Sequence, residues 1–360
     1  MPPASPPART IKMTLLTLAL GAAGGAAFLI AAMPAAWLSG AMTVVAVAAL
    51  FGAPMHIPDR LRDVVFVFLG VSMGSGVTPD VVAQIALWPA SIGILSLTVL
   101  AIIAAGTVFL MRVGNWNRAT AFFASIPGAL STVLSLALDT TADVRRVAIS
   151  QSVRVFILVA LMPTAIGWLR DAPLDGTVSR ISGSLYELAG LIVCGLAGSL
   201  LFRKLGVPGA MLTGALFASA ILHVSELAHM QMPQWLLVPG YVVLGSMIGT
   251  RFMGASWRDL GSVAGISLAS FLIAMALSLV GAVSVVLLFD LAPELTLLAF
   301  APGGLEAMMV MAFALHLDPA YVAAHQVFRF IAMAMLLPVG MRLMKLERKE
   351  TAATGDGRGQ

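Results

Sequence analysis

The sequence predicts an all-α integral membrane protein of two inverted-topology repeats, each with about five transmembrane helices plus a Pro-Gly re-entrant or broken helix. Three observations predict it. The 360 residues are 59% hydrophobic and only 11% charged, with a mean hydropathy of +0.98, whereas a soluble domain carries far more charge. Long uncharged runs lie between Lys12 and Asp59 and over Val81–Met111. They exceed the ~20 apolar residues a crossing helix needs and lack the alternation of barrel strands. Finally, the chain repeats itself. Pro127-Gly128-Ala129-Leu130 returns as Pro302-Gly303-Gly304-Leu305, and the same offset of 175 pairs Asp143 with Asp318, Gln151 with Gln326 and Arg154 with Arg329. Upstream it pairs Gly70 with Gly245 and Gly74 with Gly249. Nearer the start an offset of 174 pairs Gly24 with Gly198, Pro34 with Pro208 and Gly40 with Gly214. Such repeats in membrane carriers frame a central site where the two units meet.

The elements follow in order. Residues 1–11 are read as a disordered N-terminus, 12–169 as repeat one, 170–181 as a linker, 182–344 as repeat two and 345–360 as a disordered tail. Repeat one is expected to form helices at about 13–33, 36–55, 63–78, 83–112 and 146–169, and repeat two at about 184–205, 209–224, 234–250, 259–289 and 319–344. One further apolar segment precedes the last helix of each unit, Ala119–Leu138 and Leu295–Leu317, each with a Pro-Gly in its first half. The basic residues and small residues around the first apolar run resemble a signal peptide. The duplication argues against cleavage, since Met13–Met33 aligns with Leu188–Leu205.

Charge placement sets orientation. In repeat one the loops carry, in turn, no charge near Met33, then Arg60 and Arg62, then Asp80, then Arg112 and Arg118. In repeat two the series is shifted by one: Arg203 and Lys204, then His223, Glu226 and His229, then Arg251 and Arg258, then Asp290 and Glu294. Equivalent loops thus have opposite bias, so by the positive-inside rule the repeats face opposite ways. Five crossings per unit with a re-entrant Pro-Gly segment meet that condition. Six crossings in parallel orientation leave the alternation unexplained. The chain is therefore expected to be a multi-pass membrane protein with both termini cytoplasmic.

The Pro-Gly tips are the first candidate site. Pro lacks an N–H and Gly accepts open backbone conformations, so each tip should interrupt a helix. Broken backbone at membrane depth is tolerated where protein or water satisfies it, and the helix restarting beyond it aims free N–H groups at the gap. Pro127, Gly128, Ser131 and Thr132 form one tip, and Pro302, Gly303, Gly304 and Glu306 the other. Gln151 and Arg154, like Gln326 and Arg329, share one helix face at a spacing of three. An Arg at mid-bilayer costs at least ~2.5 kcal/mol, so it must face protein or water and find a partner. Either the two arginines flank a cavity and hold an anion or a carboxylate, or each snorkels to the interface or ties its helix to a neighbouring carbonyl. Glu306 is free to pair with Arg329, bind a cation, carry a proton or cap its helix. His325 is a proton-carrier candidate, although a lone His is more often a packing residue. Asp143 and Asp318-Pro319 read as helix N-caps. The run His223, Glu226, His229 lacks metal-ligand spacing, and the single Cys194 permits no disulfide framework. Gly70/Gly74 and Gly245/Gly249 permit close helix packing.

The stretches Val207–Ala215, Val243–Gly249, Ala301–Ala307 and Asp318–Arg329 resemble the AbrB-type bacterial membrane protein family, over about Leu15 to Met344. Repeat one departs from the family's Pro-Gly-Gly, with Ala129 in the third place and Ser131 in place of the Glu. The resemblance implies a repeated membrane domain and labels such as membrane-bound regulator of gene expression and ammonia monooxygenase. Five scattered His and one Cys offer no evident copper or iron set for the second label, and no DNA-binding module stands outside the membrane segments. The expectation is a secondary transporter of a small anion or polar metabolite, coupled to protons or a cation. Its rivals are a regulator acting through a partner and, behind that, a membrane enzyme. No cofactor, metal or nucleic acid is expected. The expected partners are the lipid bilayer and a small solute of unknown identity, and a homodimer stays open.

Overall fold

The structure, a computed structural model, describes residues 7–77, 84–128, 130–169, 185–230, 232, 234–255, 257–344 and 346. The linker 170–181, Asp80, Ala129 and the stretch 347–360 lie outside the described residues, as does the side chain of Ser131. Fourteen α-helices and two short 3-10 turns make up the described chain. Repeat one comprises α1 (Pro7–Ile30), α2 (Ala36–Leu50), α3 (Asp59–Gly74), α4 (Trp88–Arg112), α5 (Arg118–Ser125), α6 (Leu130–Leu138) and α7 (Val144–Leu169). Repeat two comprises α8 (Leu185–Lys204), α9 (Ala210–Val224), α10 (Gln234–Gly249), α11 (Trp257–Phe289), α12 (Pro293–Phe300), α13 (Leu305–Ala314) and α14 (Pro319–Leu343). The bounds recur at the sequence offsets: α2 and α9 by 174, α3 and α10, and α5 and α12, by 175. α1 begins at Pro7, upstream of the expected start, because Arg9–Lys12 continue its turns.

Six helices are long and apolar enough to cross a membrane: α1, α4, α7, α8, α11 and α14. The other four expected crossings, α2, α3, α9 and α10, have 15 or 16 residues. At 1.5 Å per residue they reach roughly 22–24 Å, short of a hydrocarbon core of about 30 Å. Their surroundings explain the shortfall. α2 buries nine of its residues, among them Leu38, Met42 and Val45, and packs on protein backbone along its length.

That packing rests on glycines. A Cβ at Gly24 would lie 2.3 Å from Gly40 O, and one at Gly198 would lie 2.5 Å from Gly214 O. These contacts join α1 to α2 and α8 to α9. Between the repeats, Gly70 and Gly74 of α3 sit on Leu212 O and Leu216 O of α9, where a Cβ would lie 2.4 Å away in both cases. Reciprocally, Gly245 and Gly249 of α10 sit on Leu38 O and Met42 O of α2, with 2.3 and 2.8 Å available. Each half thus presents its third helix to the other half's second, an isologous arrangement whose missing side chains let backbones touch. α3 and α9 run in the same direction, because residue numbers rise together along the contact. α4 and α11 are opposed. Thr98 meets Gly281, Gly106 meets Ser270, and Gly114 meets Ile266.

The Pro-Gly segment of repeat one turns back on itself. Asn117 caps α5 by accepting from Thr120 N at 2.7 Å, and its Nδ2 donates to Thr141 O at 3.0 Å. Asp143 N donates to Thr120 Oγ1 at 2.8 Å. The residues entering α5 therefore lie beside those leaving α6. With eight and nine residues, the two half-helices extend only about 12–14 Å each.

Candidate functional site

The two tips meet. A Cβ on Gly128 would lie 3.5 Å from Gly303 O and 3.7 Å from Arg329 Nη2. Each chain break falls at the same place: Ile126 and Ala301 both leave the helix for extended backbone, with ψ of 122° and 132°. Gly128 takes φ +91°, a conformation that L side chains seldom adopt. Gly303 N donates to Ala301 O at 2.8 Å, and Met308 packs over Gly303. Pro127, Pro302 and Gly303 are buried, while Gly128, Gly304, Thr132 and Glu306 are partly exposed.

The Gln/Arg pairs serve the broken backbone. A helix that stops inside protein leaves carbonyls without partners, and a cation is favoured at that end of the dipole. Gln151 Nε2 donates to Phe123 O at 3.0 Å and Arg154 Nη2 to Ile126 O at 2.8 Å. In repeat two, Gln326 Nε2 donates to Ala299 O at 3.1 Å, with Leu298 O and Ala301 O at 3.4 Å. Arg329 Nη1 donates to Ala301 O at 2.6 Å and Nη2 to Gly303 O at 2.7 Å and to Gln326 Oε1. Of the two readings open from sequence, the tie to neighbouring carbonyls is therefore realised in both repeats. Both guanidiniums are nonetheless deeply buried, 6% and 4% exposed, and repel one another. Neither has a carboxylate partner among the described residues. Unlike Arg329, Arg154 has an Nε that is buried with no partner.

Glu306 does not pair with Arg329. Its Oε1 lies 3.8 Å from the Cβ position of Gly209 at the start of α9, and its charge acts on Arg251. His325 is fully buried, with Nδ1 at 2.8 Å from Tyr321 O and Nε2 at 2.7 Å from Ser91 Oγ. It stacks on Tyr321 at 4.0 Å between ring centroids.

Asp318 accepts from Ala320 N at 2.8 Å, and Asp143 accepts from Arg146 N at 3.1 Å, so both cap their helices. Burial holds the Asp318 carboxyl above the usual carboxylate range, against the lowering effect of the Ala320 and Tyr321 N–H groups. Of the run His223, Glu226, His229, His223 lies in the last turn of α9, engaged by Ser219 O and Met230 O, and Glu187 accepts from His229 N and Met230 N. Among the described residues no group of three His, Cys, Asp or Glu side chains converges as a metal site.

Sequence reasoning missed a large cavity. It has a volume of about 810 Å³ and gathers the end of α1, the start of α2, the end of α3, the start of α10 and the α13–α14 turn. Trp37, Ser72, Tyr241, His316 and Asp318 line it. Apart from the contiguous end of α1 and start of α2, these segments are far apart in sequence, and the signal available was that Pro34 and Asp318 both stand just before a helix start.

Comparison with known proteins places the chain. The "Uncharacterized protein YhjN" of Bacillus subtilis (strain 168) is 26% identical over 353 residues, covering 91% of this chain and 92% of its own length. The "Putative regulator AbrB" of Escherichia coli (strain K12) is 26% identical over 324 residues, covering 88% of this chain and 92% of its own length. The family described as "Transition state regulatory protein AbrB" matches residues 37–345. With membrane-length apolar helices in both halves and a family match over most of its length, the chain is a polytopic membrane protein and belongs to the AbrB family.

Proposed function

We propose that the protein is a secondary transporter of a small anion or polar metabolite, coupled to protons or a cation, whose two repeats lie inverted in the bacterial inner membrane. One observation carries the reading: two buried guanidiniums from matching helices converge where the two broken segments touch, without a carboxylate partner among the described residues. Carbonyl dipoles offset only part of that charge, and an intramembrane cation of this kind marks a solute pathway.

The opposed contact order of α4 and α11 supports the inverted arrangement, since these are equivalent helices of the two repeats. Charge supports the orientation. α3, α10 and α14 each have one end in the cavity, and at or beyond their other ends stand Arg60 and Arg62, Arg251, and Arg342. By the positive-inside rule the cavity then opens away from the cytoplasm and both termini lie in it. Cysteine accessibility tests this in a Cys194→Ser background. Arg145→Cys should react only from the cytoplasmic face and Asp318→Cys only from the opposite one. Labelling of both from one face overturns the inversion.

Transport itself is tested by uptake of labelled small anions into proteoliposomes. Flux should appear for at least one anion and fall at least ~10-fold in Arg154→Lys, because an ammonium lacks the planar fork. The names of the family and of the E. coli protein favour a second reading, a regulator acting through a partner. Absence of flux for every solute, with a stoichiometric partner retained on purification, decides for that reading.

A further inference from the structure

We infer that Arg154, and not its counterpart Arg329, is the arginine that takes a ligand, and that this ligand is a small inorganic anion of halide size held in a hydroxyl-lined cleft between α4, α5, α7 and α11. The cleft is bounded by Gly106, Ser125, Ser150, Arg154, Ser267 and Ser270 among others. It leaves about 10 Å³ for the centre of a water-sized sphere, the lower limit for one water-sized group, so a halide enters only if the serine side chains around it move outward.

Two donors in it are unspent. Arg154 Nε and Ser267 Oγ are both buried without a hydrogen-bond partner, in side chains 6% and 3% exposed. An unmet buried donor costs about 1–3 kcal/mol, more when charged, so a pair of them lining one cleft points to a bound acceptor. Ser125 already gives its proton to Ala121 O at 2.7 Å and contributes no donor. The nearby guanidinium excludes a cation. A water would meet the two donors but leave both positive charges uncompensated, whereas an anion meets the donors and offsets the charge.

The duplication supplies an internal comparison. At the offset of 175, Ser125 and Ser150 correspond to Phe300 and His325, and Ser267 and Ser270 correspond to Ile92 and Leu95. On that side a Cβ at Gly281 would already lie 2.9 Å from Phe300 Cδ1, and His325 is held by Ser91 and Tyr321. The space is filled by ring and aliphatic carbon. Arg329 spends both Nη atoms on carbonyls of the tip, while Arg154 spends only one. The gene doubling kept both arginines, but only the first half kept room and donors beside its own. The inference deepens the transport reading, and the cleft's part in flux rests on that reading; binding at the cleft does not.

The test uses the purified full-length chain in lipid nanodiscs, with potassium gluconate exchanged stepwise for potassium bromide at constant ionic strength. Bromide should raise the apparent Tm saturably. The midpoint should rise at least ~10-fold in Ser267→Ala, which removes one donor to a charged ligand, and the effect should vanish in Arg154→Lys. Diffraction from the wild-type chain in bromide provides a readout independent of variant folding, with an anomalous peak expected between Arg154 and Ser267. Absence of bromide-specific stabilisation, an unchanged midpoint in Ser267→Ala, or a peak at Arg329 instead overturns the assignment. Bromide binding without flux of any anion sinks the transport reading alone, and flux without bromide binding sinks this site alone.

Discussion

Replacing Gly70 by Val should prevent the two halves from closing on each other. The new Cβ would stand 2.4 Å from Leu212 O, 2.7 Å from Ala215 Cβ and 3.1 Å from Leu216 N. Two of these obstacles are backbone, so no side-chain rotation relieves the clash and α3 must move off α9. Overpacking of this sort costs typically about 1–3 kcal/mol. Here it should sit at or above the top of that range, because helix against helix yields only as a rigid body. Gly245→Val, whose Cβ would lie 2.3 Å from Leu38 O across the reciprocal contact, should be equally damaging. The check is the apparent Tm and the monodisperse fraction on size exclusion. Gly265→Ala on α11 is the control, since nothing stands within 4 Å of its Cβ position. It should match the wild type or gain up to ~1 kcal/mol from helix propensity. Should Gly70→Val behave like Gly265→Ala, the reciprocal glycine contact is not what joins the halves.

Much of this interface was legible before any coordinates. The matched pairs Gly70/Gly74 and Gly245/Gly249 announced close packing, and the ends of most helices fell within a few residues of the expected ones, since Pro, Gly and charged residues punctuate apolar runs. The positions of both tip breaks were also readable, because Pro-Gly leaves the backbone little choice. Partners were not. Nothing in the spacing of Gln326 and Arg329 distinguishes a side chain aimed at a cavity from one aimed at Ala301 O and Gly303 O, since both lie on the same helix face. For Glu306 the sequence left Arg329, a cation, a proton and a helix cap all open, and the arginine its charge acts on in the fold, Arg251, is distant in sequence. The hydroxyl cleft was hidden for a related reason. Ser125, Ser150, Ser267 and Ser270 come from three helices, and only the pairs Ser150/Arg154 and Ser267/Ser270 have helical spacing. The trace that was available lay in the alignment of the repeats, where Ser125 and Ser150 face Phe300 and His325.

Truncating the two arginines should have sharply unequal effects, although they occupy equivalent positions. Arg329→Ala strands Gly303 O and Gln326 Oε1, while Ala301 O loses its shortest donor but keeps Gly303 N and Gln326 Nε2. Each buried unsatisfied group costs roughly 1–3 kcal/mol, so the sum reaches several kcal/mol, comparable with the whole stability of a domain. The variant should fail to accumulate in folded form, and Arg329→Lys should recover little of it, since one ammonium cannot reproduce the planar fork that spans two carbonyls. Arg154→Ala strands only Ile126 O, leaves Gln151 on Phe123 O, and removes the repulsion that Arg154 exerts on Arg329. The relief of that like-charge contact offsets part of the lost hydrogen bond. The expected outcome is a folded protein with an apparent Tm a few degrees below the wild type, measured by the loss of monodisperse material after a heat step. Equal losses in the two variants would mean that Arg154 braces its tip as firmly as Arg329 does, and the division of labour between a structural and a ligand-binding arginine would fall with it.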